Sequence, residues 1–372
     1  MNHDRLGRLR APAVSTVHVV VPEGIDDPTR PSGGNRYDRR ICDGLAARGW
    51  DVRELPVSGS WPAPDTAALS ALARALSGLP DDGLVVVDGL IASCAPTVLV
   101  PQASRLRLVV LVHMPLGDRD GAAVAERAVL TRARAVLATS RWTRRWLLDR
   151  YCLPPGAVHV AQPGVDLLDP SPASPGGGRL LCVAALVPQK GQHLLLEALA
   201  GITGPAWCCT LVGSPHSDPP FAARLRQLAG TLGIADRVRF AGSCPPDQVG
   251  RAYQSADLLV LPSCAETYGM AVTEALAAGV PVLATAVGGV PEALGETDVG
   301  LPGLLVAPGD RPALTAALSA WLTTPDLRHR LTGAALRRRS TLRGWGAASE
   351  RVAAVLSAVR EEPSGPGLCA SL

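Results

Sequence analysis

Two carboxylates eight residues apart, Glu266 and Glu274, carry the clearest chemical signal in the chain. They lie in the stretch 263–292, SCAETYGMAVTEALAAGVPVLATAVGGVPE, which follows an apolar run at 257–261 that reads as a buried strand. Pro262 and Ser263 end that strand, and Glu266 falls in the loop at its carboxyl end. Residues 270–278 read as a short helix stopped by Gly279 as a left-handed cap, with Glu274 inside it between Val272 and Leu276. Residues 281–284 are the next strand, and Gly288-Gly289 opens another helix. In an open α/β sheet, ligands collect at the carboxyl ends of the strands. Gly269 lets the backbone approach a ligand, and the free N–H groups of the following first turn attract anions or sugar oxygens. An ionised carboxylate only accepts hydrogen bonds and can take two from hydroxyls, so two of them flanking such a turn suit a polyhydroxylated ligand. Taken singly, Glu274 reads as well as a helix-face ion pair and Glu266 as a solvated loop charge. The combination with the glycine at the helix start favours a site.

Of 36 basic residues, Lys190 alone is a lysine. That usage points to a tight phosphate site, where a compact charge fits and a broad planar fork does not. A surface lysine retained by chance is the weaker reading. Lys190 follows a strand at 179–186 and precedes a helix at 192–200, so it too falls at a strand-to-helix turn on the ligand side. Near the start of the chain, a strand at 15–21 leads through a Pro- and Asp-rich loop to Gly33-Gly34-Asn35 and a helix at 36–48. A glycine pair at a helix start is a weak anion or sugar site by itself. Asn35 reads equally as a cap for that helix, and Asp38 as a complement to its dipole. His113 ends a strand at 106–112, again on the cleft side, although a histidine satisfied by backbone groups is an equally good reading.

Elements must hold these residues in place. The 372 residues, 47% hydrophobic and 19% charged, suffice for two domains with sizeable cores. Strands at 51–55, 84–88 and 135–139 alternate with helices at 66–77 and 141–151 in the first half. Strands at 207–212 and 237–240 alternate with helices at 221–232 and 246–255 in the second, followed beyond 292 by a strand at 303–306 and helices at 312–322, 327–339 and 345–359. Such alternation implies parallel sheets covered by helices on both faces. The run 169–178, DPSPASPGGG, is a linker. The expected organisation is a disordered tail at 1–13, a first domain at 14–168, the linker, a second domain at 179–342, a closing helix at 343–361 and a disordered tail at 362–372.

Composition excludes several classes. A net charge of +3 does not mark a nucleic-acid binder. No apolar run reaches the length of a membrane span, and the Arg-rich start has no apolar signal core, so a cytoplasmic location is expected. Nine scattered cysteines with no C-x-x-C pair read as reduced thiols. No acidic pair at a turn suits Mg²⁺, so no metal is expected, and no G-x-G-x-x-G follows the first strand, which disfavours a dehydrogenase. The helix at 141–151 places Arg141, Arg144, Arg145 and Arg150 beside Trp142 and Trp146, a pattern able to touch anionic lipid weakly. A packed apolar side with solvated arginines is the commoner outcome.

Glu266, seven residues, then Glu274, with Tyr268-Gly269-Met270 between them, resembles the signature of the retaining glycosyltransferases of family 4. The resemblance runs from about Val17 to Trp345 and is more specific in the second half. It implies the GT-B fold, two Rossmann-like parallel-sheet α/β domains facing a central cleft. It also implies retaining, metal-independent transfer of a sugar from a nucleotide-diphosphate sugar to a hydroxyl acceptor. By that resemblance Glu266, with the backbone N–H groups of Tyr268, Gly269 and Met270, faces the donor sugar, and His113 touches it. Glu274 holds the ribose hydroxyls, Lys190 the diphosphate, and Gly213 and Gly242 lie along the nucleotide. Gly33 and Gly34 line the cleft near the donor phosphate, with Asn35 and Tyr37 on the acceptor side. Pro163-Gly164-Val165-Asp166 resembles the family motif before the linker, and the last helix is expected to cross back to the first domain. One position departs. Five residues before the lysine, where the family has an arginine that completes the diphosphate clamp, this chain has Ala185. The implied co-substrate is a nucleotide sugar, UDP favoured over GDP, with no cofactor besides. A small-molecule acceptor is preferred over a lipid or saccharide. A GT-B sugar-nucleotide epimerase lacks the two-glutamate pattern, and a non-catalytic sugar-nucleotide-binding protein is suggested only by Ala185.

Overall fold

The computed structural model describes residues 15–363 except 30 and 120. The expected tail at 1–13, and all of the one at 362–372 beyond residue 363, lie outside the described residues. Six parallel strands form a first sheet in the order β2-β1-β3-β4-β5-β6: β1 (Thr16–Pro22), β2 (Asp51–Val57), β3 (Leu84–Asp88), β4 (Arg107–Val112), β5 (Ala135–Ala138) and β6 (Val158–Val160). Six more form a second sheet in the order β12-β11-β10-β7-β8-β9: β7 (Arg179–Val183), β8 (Cys208–Val212), β9 (Val238–Gly242), β10 (Leu258–Leu261), β11 (Val282–Thr285) and β12 (Gly303–Val306). Each sheet separates two apolar cores, because successive strand residues point to opposite faces. In the first, Val20, Val85, Val87 and Val110 fill one face, while Val19, Val21, Val86 and Val109 fill the other. Burial on both faces explains why these strands read as unbroken apolar runs.

The structure shifts several expected boundaries. The first helix is Gly33–Ala46, starting before Arg36, because the hydroxyl of Ser32 caps it by accepting from the Asn35 N–H at 3.0 Å. Gly33 and Gly34 are thus its first turn, and Asn35 is not its cap. β7 ends at Val183; beyond it the chain turns through a short 3₁₀ segment, Pro188–Lys190. The helices Gly89–Ala92, Pro96–Gln102 and Ala122–Leu130 were not anticipated. The linker lies against the second sheet, where Ser174 donates its N–H and hydroxyl to Asp257 at 2.8 and 2.6 Å, and Arg179 pairs with the same carboxylate. No helix among the described residues is long and apolar enough to cross a membrane.

The last helix, Trp345–Glu361, packs on the first sheet. Its apolar residues recur at helical spacing, Trp345, Ala348, Val352 and Leu356, and meet Tyr37, Ile41 and Leu45 of the Gly33–Ala46 helix. Its entry is tight. The Val165 N–H donates to the Arg343 carbonyl at 3.0 Å, and a Cβ on Gly164 would collide with the backbone of Trp345. Gly164→Ala should therefore destabilise the protein by about 1–3 kcal/mol through overpacking. Gly156→Ala, where a Cβ would meet nothing within 4 Å, should stay within about 0.5 kcal/mol of the parent. Urea unfolding of the two variants beside the parent checks this.

Candidate active site

The carboxyl ends of β7 and β10, neighbours in the second sheet, deliver Lys190 and Glu266 side by side. The Lys190 ammonium donates to Glu266 Oε1 at 2.6 Å, and the Ser263 hydroxyl donates to the same oxygen at 2.9 Å. Gly191, with φ +69°, lets the lysine turn pass so close to the end of β10 that a Cβ there would collide with the Pro262 carbonyl. The Glu266 backbone is fixed as well, its carbonyl accepting from the Gly289 N–H at 3.1 Å. Gly288 is required at that turn, because its φ is +53° and a Cβ would overlap the same carbonyl.

Gly269, with φ +93°, starts the Met270–Ala277 helix that carries Glu274. Tyr253 donates its hydroxyl to Glu274 Oε2 at 2.8 Å, and Arg36 donates to Oε1. Arg36 belongs to the Gly33–Ala46 helix of the first sheet, so this ion pair crosses the cleft. Gly33 eases the approach, since a Cβ there would lie 3.3 Å from Met270 Sδ of the second half, while a Cβ on Gly34 would lie 3.3 Å from the His113 ring of its own half.

His113 sits beneath Gly34 at the end of β4. Its Nε2 is 2.6 Å from Asp38 Oδ1 and 3.5 Å from Asp88 Oδ2. Burial works against the charged imidazole, but Asp38 and Asp88 outweigh it and hold its pKa up at about 9. Asp88 is pushed up to about 7 by burial and by Asp38 beside it. Among the described residues these three are the one group whose ligand atoms, all within 4.8 Å of one another, could hold a metal ion. The 2.6 Å contact from His113 Nε2 to Asp38 makes the trio a buried hydrogen-bonded cluster. It shows that Asp38 does more than complement a helix dipole.

One expected contact is corrected. Tyr37 is 1% exposed and donates to the Ala161 carbonyl at 2.9 Å, packed edge-on against His113 and Trp345, so its side chain does not face an acceptor. The Tyr268 ring is 8% exposed within the second-sheet core, so only its backbone N–H, the group expected at the sugar, is left for that role. Asn35 is half-buried on the first helical turn. Gly213 and Gly242 adjoin each other, the Gly213 N–H donating to the Gly242 carbonyl at 2.9 Å. Their neighbours Ser214 and Ser243 both donate to the Thr29 carbonyl of the first half, at 2.7 and 3.0 Å. Ala185 is partly exposed, and its carbonyl accepts from the Gln192 side chain at 2.8 Å.

The Arg141–Tyr151 helix starts at Ser140, whose hydroxyl caps it as the sequence suggests. Its first N–H groups also meet a carboxylate from the other half: Arg141 N donates to Glu292 Oε2 at 2.9 Å. Arg144 and Arg150 are engaged with the carbonyls of Val158 and Gly117, so only part of the helix's charge is free for a surface contact. Arg36, Asp88, Tyr253 and Glu292 are site residues that the sequence did not disclose. Arg36 alone left a trace, as a cation two residues beyond the glycine pair.

Residues 31–168 match the family model described as Glycosyltransferase Family 4, and residues 169–338 the one described as Glycosyl transferases group 1. The chain is 33% identical over 262 residues to D-inositol 3-phosphate glycosyltransferase of Frankia alni, a match spanning 64% of this chain but 63% of that relative. It is 32% identical over 391 residues to the protein of the same name from Acidothermus cellulolyticus, covering 87% of this chain and 84% of the relative. Among solved structures, sucrose-phosphate synthase from Thermosynechococcus elongatus is similar with a TM-score of 0.77 at 22% identity, covering 93% of this chain and 99% of that one. Anabaena Alr3699/HepE in complex with UDP-glucose is similar with a TM-score of 0.74 at 19% identity, covering 92% and 99%. At such identities the likeness to solved structures is one of fold.

The buried trio makes stability depend on pH. A histidine with a raised folded pKa contributes stability that is complete below its ordinary 6.5 and is lost as pH rises through about 9. The raised Asp88 acts in the same direction at lower pH, favouring the fold less as pH climbs from 3.8 toward about 7. The melting-temperature gap between the parent and His113→Asn should be wide at pH 6 and narrow by pH 10. A gap of constant width across that range would contradict the cluster's assignment.

Proposed function

The chain belongs to the family 4 glycosyltransferases, retaining enzymes of the GT-B fold, and from that premise we propose that it moves a hexosyl group from a UDP-sugar to a hydroxyl of a small polar acceptor. The observation that carries this reading is the convergence of three side chains at one cleft: the 2.6 Å Lys190–Glu266 pair, and Glu274 on the helix that follows Glu266. An acceptor-only carboxylate at Glu274 suits the paired hydroxyls of a ribose. Lys190 and the N–H groups after Gly269 suit the diphosphate. Support for UDP comes from Alr3699/HepE, which has been solved with UDP and with UDP-glucose. Support for a small acceptor comes from the names of the curated relatives, whose acceptor is an inositol phosphate. A phosphorylated polyol is therefore the acceptor class to try first.

In this reading the bond from the anomeric carbon to the diphosphate oxygen breaks while the acceptor hydroxyl attacks from the same face. The departing phosphate takes the hydroxyl proton, and configuration is retained. Lys190 offsets the charge growing on the leaving group. Glu266, held by Lys190 and Ser263, orients the sugar and offsets positive charge developing on its ring. Contact between the two halves excludes water and limits hydrolysis of the donor.

Glu266→Gln should bind UDP nearly as the parent does but transfer sugar about 10²-fold more slowly or worse. Glu274→Ala should lose most UDP binding. Calorimetric titration with UDP, together with NMR assignment of the product anomer from UDP-glucose and an inositol phosphate, tests both. A fully active Glu266→Gln or an inverted product would refute the mechanism. Conversion of the donor without any acceptor would favour an epimerase.

A further inference from the structure

Position 185 holds alanine and Lys190 is paired with Glu266, so the second sheet by itself brings little free positive charge to a diphosphate. The geometry points to Arg36 as the arginine that completes the clamp, supplied from the opposite side of the cleft. This inference rests on the donor reading above. Arg36 stands two residues after Gly34 on the first turn of the Gly33–Ala46 helix. Its guanidinium donates to Glu274 Oε1, lies 3.6 Å from Asp166 and keeps 35% of its side chain exposed, so it sits at the cleft surface and not in a core.

Glu274 is the carboxylate that the ribose needs. Ribose hydroxyls reaching it take the place of the guanidinium on Oε1, while Tyr253 keeps Oε2. The displaced guanidinium is then one pentose ring away from the diphosphate, on a long flexible stem. Its planar fork matches phosphate oxygens with two parallel N–H···O bonds. The exchange satisfies both sides: Glu274 gives up one cation for two hydroxyls, and Arg36 gives up one carboxylate for a more highly charged partner. Gly33 keeps the passage narrow but open, since a Cβ there would lie only 3.3 Å from Met270 Sδ of the second half. Arg36 thus plugs the ribose subsite of the empty protein and clamps the leaving group of the loaded one.

The test compares UDP with uridine, which presents the ribose without the phosphates. Both are titrated into the parent, into Arg36→Ala, and into Arg36→Ala combined with Ala185→Arg. Arg36→Ala should weaken UDP about tenfold or more, and should leave uridine unchanged or tighter because Glu274 no longer has to release a cation. Adding Ala185→Arg should restore most of the UDP preference. Equal tightening of both ligands in Arg36→Ala would make the arginine a plug only, and an unchanged ratio of the two affinities would remove it from the site; either overturns the proposal. A parent that binds neither ligand would remove the donor reading itself, and this assignment with it.

Discussion

Glu266 is held at the seam of three adjacent strands, and the cleft is built around that constraint. β11, β10 and β7 lie next to one another, so the loops at their carboxyl ends emerge in a row. The β11 loop supplies the Gly288-Gly289 turn that grips the Glu266 carbonyl, β10 supplies Glu266, and β7 supplies the lysine that grips its carboxylate. Both flanking turns come close only because glycine at a positive φ removes the Cβ that would collide. The Lys190 and Glu266 side chains are 27% and 12% exposed. A pair so placed loses much of its hydration, and its mutual hydrogen bond offsets that loss only while both partners are present. Such a pair adds little to stability, but it fixes where the carboxylate stands.

The two halves meet through polar contacts and through Met270, which packs against an apolar core of each half. The hydroxyls of Ser214 and Ser243 share the Thr29 carbonyl, the Ser140 hydroxyl donates to the Thr267 carbonyl at 2.6 Å, and Gln162 donates to Glu292. Glu292 also sits where the first free N–H groups of the Arg141–Tyr151 helix concentrate positive potential. Each of these groups has a ready alternative in water or in a ligand's hydroxyls, so an interface of this kind can be parted and remade. The buried apolar residues fall into four cores, two around each sheet.

How much of this was legible in the sequence depends on how local each signal is. Glu266, Gly269, Glu274 and Gly279 lie in one strand–loop–helix unit, so their spacing alone placed them correctly. Lys190 was legible because it is alone of its kind. The Asp38–Asp88–His113 cluster was not, since its members come from three elements whose meeting depends on the order of strands in the sheet. Tyr37 misled for the opposite reason: proximity in sequence to a motif says nothing about which face of an element a ring takes, and this ring turned into a core. The Ala122–Leu130 helix lacked a sequence mark at its start, because Gly121 in a left-handed conformation precedes it without any side-chain cap. Glu126 within it is fully buried, accepting from Leu116 N–H and from Ser93, a role that no local pattern announces.

The return of the final helix to the first sheet has a mechanical consequence. The chain crosses between the halves twice, near Val165 and near Arg343, and the two crossings are tied to each other by the Val165–Arg343 hydrogen bond. Arg339 adds a second tie by donating to the Leu168 carbonyl at 2.8 Å. A body hung from one strand can swivel in any direction, whereas a body hung from two strands laced together turns about the line through them. An opening of the cleft would thus turn like a door on paired hinge pins, and its closing would return Lys190, Glu266 and Glu274 to the same place opposite Gly33, Gly34 and His113.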